Sequence, residues 1–416
     1  MRRGILPLVL AAFLAGPAGA IDLKPSLSPS FEGFGTVGTG DATSTLANPG
    51  NQVLATPDWT LGVDLRPSLD VSFGESVRAV FRPRYLGSVS GVIENGASQR
   101  LTSSQLLVDE AYGRWEISSR WNVSAGILNV QWGPAEFLGP SNPIYHFHTD
   151  ERSLLYRPRG QVLLRVIYSY SADLTAVALI EPLANGESPW IAQVPYTPRA
   201  LLKLEKRFSN PADYVGLTGG REDQGQAFLG QYANAYLTDA LSVYADGRQT
   251  IGSPGYTPLL GGPVPVLTQS QLDDGRLYAL VTVGVRYEGD LDSRIEYIYN
   301  AYGLNRSQFG TELASLLLSP DNLIRASEPG RELNQQHYLY FSLRADHWGK
   351  GDTLRVGLRY LLCLQDGSGS AVASAELALN DHLTALAQGE VSHGTATSEF
   401  GQAPPWTLFA GARLAY

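Results

Sequence analysis

A chain of 416 residues with 44 glycines, 21 tyrosines and a single cysteine, Cys363, favours strands and tight turns over helices and cannot close an internal disulfide. Its formal charge of -9 at pH 7 leaves no basic domain, which excludes nucleic acid as a partner. A mean hydropathy of -0.10 is the average expected when one face of each strand meets lipid and the other meets water.

The chain opens on Met1-Arg2-Arg3, an apolar run from Ile5 to Gly16, and Ala18-Gly19-Ala20. That pattern predicts a secretory signal peptide over residues 1–20, cut after Ala20. The run is shorter than the roughly 20 residues a spanning helix needs. The exported part, residues 21–416, is expected to form one domain.

Phe31 to Gly38 reads as a first, glycine-rich strand, followed by a polar loop from Thr39 to Asp58. The hairpin Trp59 to Tyr85 carries the clearest signal. Trp59, Leu61, Val63, Leu65, Leu69, Val71 and Phe73 alternate with Thr60, Asp64, Arg66, Ser68, Asp70 and Ser72. After a turn at Gly74 to Ser76, Val77, Ala79, Phe81 and Tyr85 alternate with Arg78, Arg82 and Arg84. This is strand periodicity, and the strands exceed the roughly nine to eleven residues that cross a bilayer at a tilt.

A loop is expected over Gly87 to Ser103, then strands over Gln105 to Ile117 and Trp121 to Gln131. The adjacent acids Asp109 and Glu110 break the alternation, which predicts a bulge. Beyond a long loop, Trp132 to Pro158, expected to fold into or over the interior, strands are predicted at 161–170, 174–181, 199–208, 214–221, 226–237, 241–251, 276–287 and 294–301. The last set is 336–346, 353–364, 370–379, 383–393 and 406–416. Short turns alternate with long loops, the layout of an all-β, transmembrane, antiparallel up-and-down barrel of roughly eighteen strands. No fixed period of about 40 to 50 residues marks a propeller.

The final strand places Leu408, Ala410, Ala412 and Leu414 opposite Thr407, Gly411 and Arg413 and ends on Tyr416. It resembles the terminal strand of Gram-negative outer-membrane β-barrels, porins included. That resemblance implies an outer-membrane location, contact with outer-membrane lipid and with small hydrophilic solutes, and delivery by the barrel assembly machinery. A narrower resemblance, to alginate-export-like and other large porin families, rests on Gly126, Trp132-Gly133, Phe137 and Pro140-Ser141-Asn142-Pro143. Trp132 can equally be a rim aromatic, with prolines that stiffen a loop.

On the faces opposite the apolar ones, basic residues outnumber acids. The candidate pore-lining residues are Asp64, Arg66, Arg78, Arg82, Arg84, Arg165, Arg286, Arg294, Glu296, Arg344, Arg355, Arg359 and Glu390. Arginine rows of this kind favour anionic or polyhydroxylated solutes, or they form a lattice of ion pairs that stiffens a polar wall. His146, His148 and Asp150 alternate along one segment, but three ligands without supporting groups do not make a metal site. Nothing resembles a nucleophile elbow or a Cys/His pair, so no enzyme activity and no cofactor is expected. The expected role is passive diffusion of small hydrophilic, anionic or sugar-like solutes. The alternatives are an export barrel for an anionic polysaccharide and a structural or adhesion barrel with a closed pore. Phe309 to Leu318 reads as a helix that ends at Pro320 and either narrows the pore or caps the rim.

Overall fold

The computed structural model describes residues 25–40, 45–46, 48–51, 55–145, 154, 160–181, 199–222, 226–259, 266–269, 271–316, 333–349 and 351–416. The signal peptide over residues 1–20 and the segment His146 to Asp150 lie outside the described residues. The first half of the wall comprises β1 (Pro25–Gly40), β2 (Trp59–Phe73), β3 (Val77–Glu94), β4 (Ala97–Glu116), β5 (Trp121–Leu128), β6 (Gln161–Ser169), β7 (Leu174–Glu181), β8 (Arg199–Arg207) and β9 (Tyr214–Glu222). It continues through β10 (Ala227–Tyr236) and β11 (Leu241–Ile251), and a small loop hairpin, β12 (Thr257–Leu259) with β13 (Val266–Thr268), follows. The wall then resumes with β14 (Leu277–Glu288), β15 (Asp292–Asn300), β16 (His337–Trp348), β17 (Leu354–Cys363), β18 (Gly369–Ala378), β19 (Leu383–His393) and β20 (Trp406–Ala415).

Leaving out the loop hairpin, these strands form one 18-stranded antiparallel sheet. It closes because β20 returns to β1, with Glu32 opposite Ala415 and Gly40 opposite Thr407. Phe31 and Tyr416 exchange two backbone hydrogen bonds of 2.9 Å, which seals the seam at the chain's last residue. Closure leaves this seam without the free edge that an open sheet would present to lipid.

One side-chain parity persists around the wall. Glu296 lies opposite Gly284, Gly284 opposite Tyr244, and Tyr244 opposite Asn234. The same face carries fully buried Glu296, Asp246 and Thr282. The other face is apolar and open: Val283, Val285, Ile295, Leu202, Leu204, Leu217 and Leu229 are all exposed. A belt of exposed aliphatic side chains outside a closed, polar interior is what a bilayer stabilises and water does not.

The expected loop over Gly87 to Ser103 is strand instead. β3 and β4 stay paired from Val77 with Trp115 up to Glu94 with Ala97. Residues 97–106 are exposed on both faces, so the β4 half of this arm has no alternation of burial to reveal it. The bulge lies where the paired acids suggested: Arg82 opposes Glu110 and Pro83 opposes Val108, which leaves Asp109 as the extra residue.

The one α-helix among the described residues, α1 (Arg306–Leu316), starts three residues earlier than expected. Asn305 caps it reciprocally with Gln308: the Gln308 amide donates to Asn305 Oδ1 at 2.9 Å, and the Asn305 amide donates to Gln308 Oε1 at 3.0 Å. Phe309, Leu313 and Leu316 pack with Leu267 of β13 and with Leu304. The helix therefore builds a capping layer with the loop hairpin.

Val283 and Leu358 sit mid-strand on the apolar face. Replacing either with Arg costs about 2–4 kcal/mol if that face meets the bilayer midplane. The expected outcome is a fall in assembled, heat-modifiable protein in the outer membrane, measured against an exposed loop substitution. Wild-type levels for both variants would refute lipid contact.

Candidate functional site

The interior is organised by residues 129–145, which leave the wall after β5 and turn inward. Two carboxylates on the inner face receive this loop. Glu296 on β15 accepts the backbone amides of Glu136 at 2.7 Å and Phe137 at 3.1 Å. Asp246 on β11 accepts the amide of Ser141 at 2.7 Å. Hydroxyls complete the attachment: Thr218 donates to the Ser141 carbonyl at 3.0 Å and Thr282 to the Leu138 carbonyl at 3.0 Å. Glu136 in turn accepts from Tyr340 and Ser342, each at 3.1 Å, and pairs with Arg294 at 3.0 Å.

Apolar contacts add two feet. Phe137 and Leu138 pack among Tyr278, Leu280, Ile298 and Tyr340, with the Phe137 and Tyr340 rings 4.8 Å apart. Ile144 packs among Leu128, Leu163, Leu179 and Leu201. Further along, the amide of Leu154 reaches Gln388 of β19 at 2.9 Å.

The Trp-Gly and Asn-Pro residues turn out to lock the loop onto itself. The Trp132 indole N–H donates to the Ser141 carbonyl at 3.1 Å, which makes Trp132 an interior residue and not a rim aromatic. Gly133 has φ +91 and faces Asp246 so closely that a β-carbon would come within 2.1 Å of Oδ2. Only glycine meets both demands. Asn142 donates to the Val130 carbonyl at 3.1 Å and accepts the amides of Ile144 and Tyr145 at 3.2 and 3.1 Å across Pro143.

The wall that receives the loop uses one device twice. Tyr244 reaches across Gly284 to donate to Glu296 at 2.8 Å, and Tyr232 reaches across Gly216 to donate to Glu205 at 2.7 Å. In each case a side chain on the intervening glycine would collide with the tyrosine ring. Glycine lets the ring lie flat, so its hydroxyl can orient a carboxylate two strands away.

Each of the thirteen sequence-derived residues lies on this inner parity, as the register carries it from strand to strand. Several converge. Asp64 is buried between two guanidiniums, Arg66 at 2.6 Å and Arg84 at 2.7 Å. Arg78 pairs with Asp70 at 3.1 Å, while Arg82 reaches Glu110 as well as Asp70. Arg286 at 2.8 Å, Arg344 at 2.5 Å and Arg294 at 3.8 Å gather around Asp292. Glu390 accepts from Ser370 at 2.6 Å. Arg165 donates to Ser124 at 3.1 Å. Arg355 is exposed and Arg359 half-buried on the same face of β17, with Gly357 between them.

Sequence reasoning missed Glu110, Glu136 and Asp292 as partners, and passed over Asp246 as an anchor. Glu110 follows the bulge, Glu136 belongs to the loop, and Asp292 is the first residue after a turn. None of these stands in clean alternation. The signal available for Asp246 was its inward parity beside Arg248 on β11.

No family profile matches the chain, and no curated protein matches it in sequence. Solved structures do resemble it in shape. OccAB1 of Acinetobacter baumannii superposes with a TM-score of 0.54 at 9% identity, over 95% of this chain and 98% of that one. OccK7 (OpdD) of Pseudomonas aeruginosa gives 0.53 at 10% identity, over 94% and 99%. OccK11 (OpdR) of the same organism gives 0.50 at 13% identity, over 94% and 96%. The likeness is one of fold, a closed antiparallel β-barrel. Such low identity speaks for architecture alone, so the inward loop and its charged surroundings must be read from this chain's own residues.

Charged acceptors hold amides by roughly 1.5–3 kcal/mol each, so replacing Asp246 and Glu296 together with Ala removes the three carboxylate–amide bonds of the loop's attachment. In the reconstituted barrel, amide exchange at Glu136, Phe137 and Ser141 should accelerate, and residues 132–145 should become open to protease. Unchanged exchange at all three amides would mean that the hydroxyl contacts and the apolar feet suffice.

Proposed function

We propose that the protein is a passive channel of the outer membrane for small hydrophilic solutes, with a preference for anions. The observation that carries this reading is a loop latched across the interior by Glu296 and Asp246 within a wall of arginine–carboxylate groups. A loop tied down by buried carboxylates narrows the lumen to a fixed aperture instead of sealing it on demand. The thirteen inner-face residues named above then line the path, and passage requires neither cofactor nor energy input. Delivery by the barrel assembly machinery is part of the same proposal, and its support is the amphipathic final strand ending on Tyr416.

Export of an anionic polysaccharide is the weaker reading, because a polymer needs a broad, continuous path where this loop crosses. The Trp-Gly and Asn-Pro residues that suggested it are accounted for as the loop's internal lock.

The sign of selectivity follows from where charge is compensated. Rim acids are solvated and screened beyond about 8 Å at physiological ionic strength, whereas wall groups act within a narrow tube. The inner faces of β2 and β3 bring Arg66, Arg78, Arg82 and Arg84 beside Asp64 and Asp70. Reversal potentials in a salt gradient should therefore report a modest anion preference, weakened when Arg82 and Arg84 are both changed to Gln. A clearly cation-selective wild-type channel would overturn the electrostatic assignment. A fully assembled barrel with no conductance would favour a closed structural or adhesion role.

A further inference from the structure

The hairpin of β3 and β4 outgrows the wall on one side. β4 pairs with β5 only from Ala111, opposite Ile127, to Glu116, opposite Asn122, whereas it stays paired with β3 as far as Ala97. The Asp109 carbonyl accepts the amide of Gly160 at 2.7 Å. Beyond that point no described strand pairs with the side of β4 turned away from β3, and residues 97–106 are all exposed. Asn95 and Gly96, at φ 46 and 80, close the hairpin in the left-handed conformation that a two-residue turn demands. This tip lies at the opposite end of β3 from the short turn at residues 74–76.

The two edges of this arm differ. On the β3 edge the Gly91 carbonyl accepts the amide of Asp58 at 2.9 Å, the Ile93 carbonyl accepts the side-chain amide of Asn51 at 3.2 Å, and the Asn95 amide donates to the Gly50 carbonyl at 3.0 Å. Asn51 is buried and held by Asn48 at 2.8 Å. These contacts also fix what the β4 edge presents, because successive residues of a strand point their backbone groups to opposite sides. Gly91 and Ile93 point away from β4, so the rungs between the strands fall at Ser90 with Leu101 and at Val92 with Gln99. The amides and carbonyls of Ser98, Arg100, Thr102, Ser104 and Leu106 therefore point to the open side. An edge of this length, about 30 Å, is a template for another strand unless charges, proline or a bulge blunt it. Residues 97–106 carry one charge, Arg100, and no proline, and the bulge at Asp109 lies outside them.

We infer that the open edge of β4 over residues 98–106 is a docking site for an extended, acidic segment of another polypeptide, which adds a strand to the arm. Main-chain bonds supply the affinity in such a complex, and the side chains beside the new strand supply the choice of partner. Arg100 is exposed and makes no ion pair among the described residues, so a carboxylate beside it gains a charge-assisted contact. Exposed Leu101 and Leu106 offer an apolar contact on each face of the arm. A second copy of this chain fits less well. Two copies related by a two-fold axis along the membrane normal bring their β4 edges together level and running the same way, so that amide faces amide. The inference does not depend on whether the barrel conducts.

Binding is measured by fluorescence anisotropy on the full-length barrel in detergent. The probe is a labelled synthetic peptide that alternates threonine and valine around a central glutamate, and a second peptide carries lysine in its place. The acidic peptide should bind and should slow amide exchange at Ser98, Arg100, Thr102 and Ser104. Exchange at Gln99, Leu101 and Ser103 should stay as it is, since those amides already bond to β3. Thr102→Pro removes an outward N–H and leaves the β3 ladder its donors, so it should weaken binding about tenfold, while Thr102→Ala should not. Arg100→Glu should weaken binding of the acidic peptide by a similar factor and favour the lysine peptide. That reversal needs no proline, so it decides the question if Thr102→Pro loosens the arm. No binding by wild type, equal binding of the two peptides, or a folded Thr102→Pro variant that binds like wild type overturns the inference. A wild-type barrel that sediments as a dimer, and as a monomer with Thr102→Pro, assigns the edge to a second copy and overturns it as well.

Discussion

Within lipid an unpaired backbone group costs several kcal/mol, so a sheet can cross a bilayer only if it has no free edge there. The pairing of β1 with β20 is therefore the constraint on which the rest of this molecule depends. It joins the first described strand to the last, so no part of the wall is complete until the whole chain is present. The two hydrogen bonds between Phe31 and Tyr416 place the final residue inside the seam. Closure also fixes the side-chain parity all the way round, because a slip of one residue anywhere would turn arginines toward lipid.

Once the wall is closed, its interior must be both polar and satisfied. The molecule meets this with two kinds of carboxylate. Asp64, Asp70, Asp292 and Glu110 answer arginines and stiffen the wall. Glu296 and Asp246 accept backbone amides of the inward loop instead. The second kind needs orientation, because a carboxylate that swings toward a nearby guanidinium would release the loop. Tyr244, lying flat over Gly284, supplies it by holding one Glu296 oxygen. The loop's position is thus set by wall residues far from it in sequence.

Much of the wall was legible in the sequence because lipid outside and water inside impose a period of two on every spanning strand. The strand count, the hairpin of β2 with β3, the bulge at Asp109 and the inner parity of the arginines all follow from that period. The arm of β3 and β4 above Gly87 was not legible. Residues 97–106 of its β4 half are exposed on both faces, so no alternation of burial marks them in the residue pattern. The loop was legible as long and proline-stiffened, but its anchors were not. Asp246 looked like one more lumen acid, and nothing local ties Ser141 to a residue 105 positions away. Trp132 and Gly133 stood out as a motif, yet their role as an internal lock depends on contacts with Ser141 and Asp246 that only the fold brings together.

The charge balance of the interior follows from these assignments. Counting inner-face charges by alternation alone leaves the wall strongly basic, because the acids that answer its arginines lie at a bulge, in a loop and beside a turn. With Glu110, Glu136 and Asp292 in place, most guanidiniums stand beside a carboxylate, and the field of such a pair falls off faster than that of a lone charge. A solute then senses the lattice as polar texture, and net attraction arises only where compensation is incomplete. Arg165, which donates to the Ser124 hydroxyl, is such a place among the described residues. In the proposed channel, selectivity would therefore follow such local imbalances in the wall more than the chain's overall acidity.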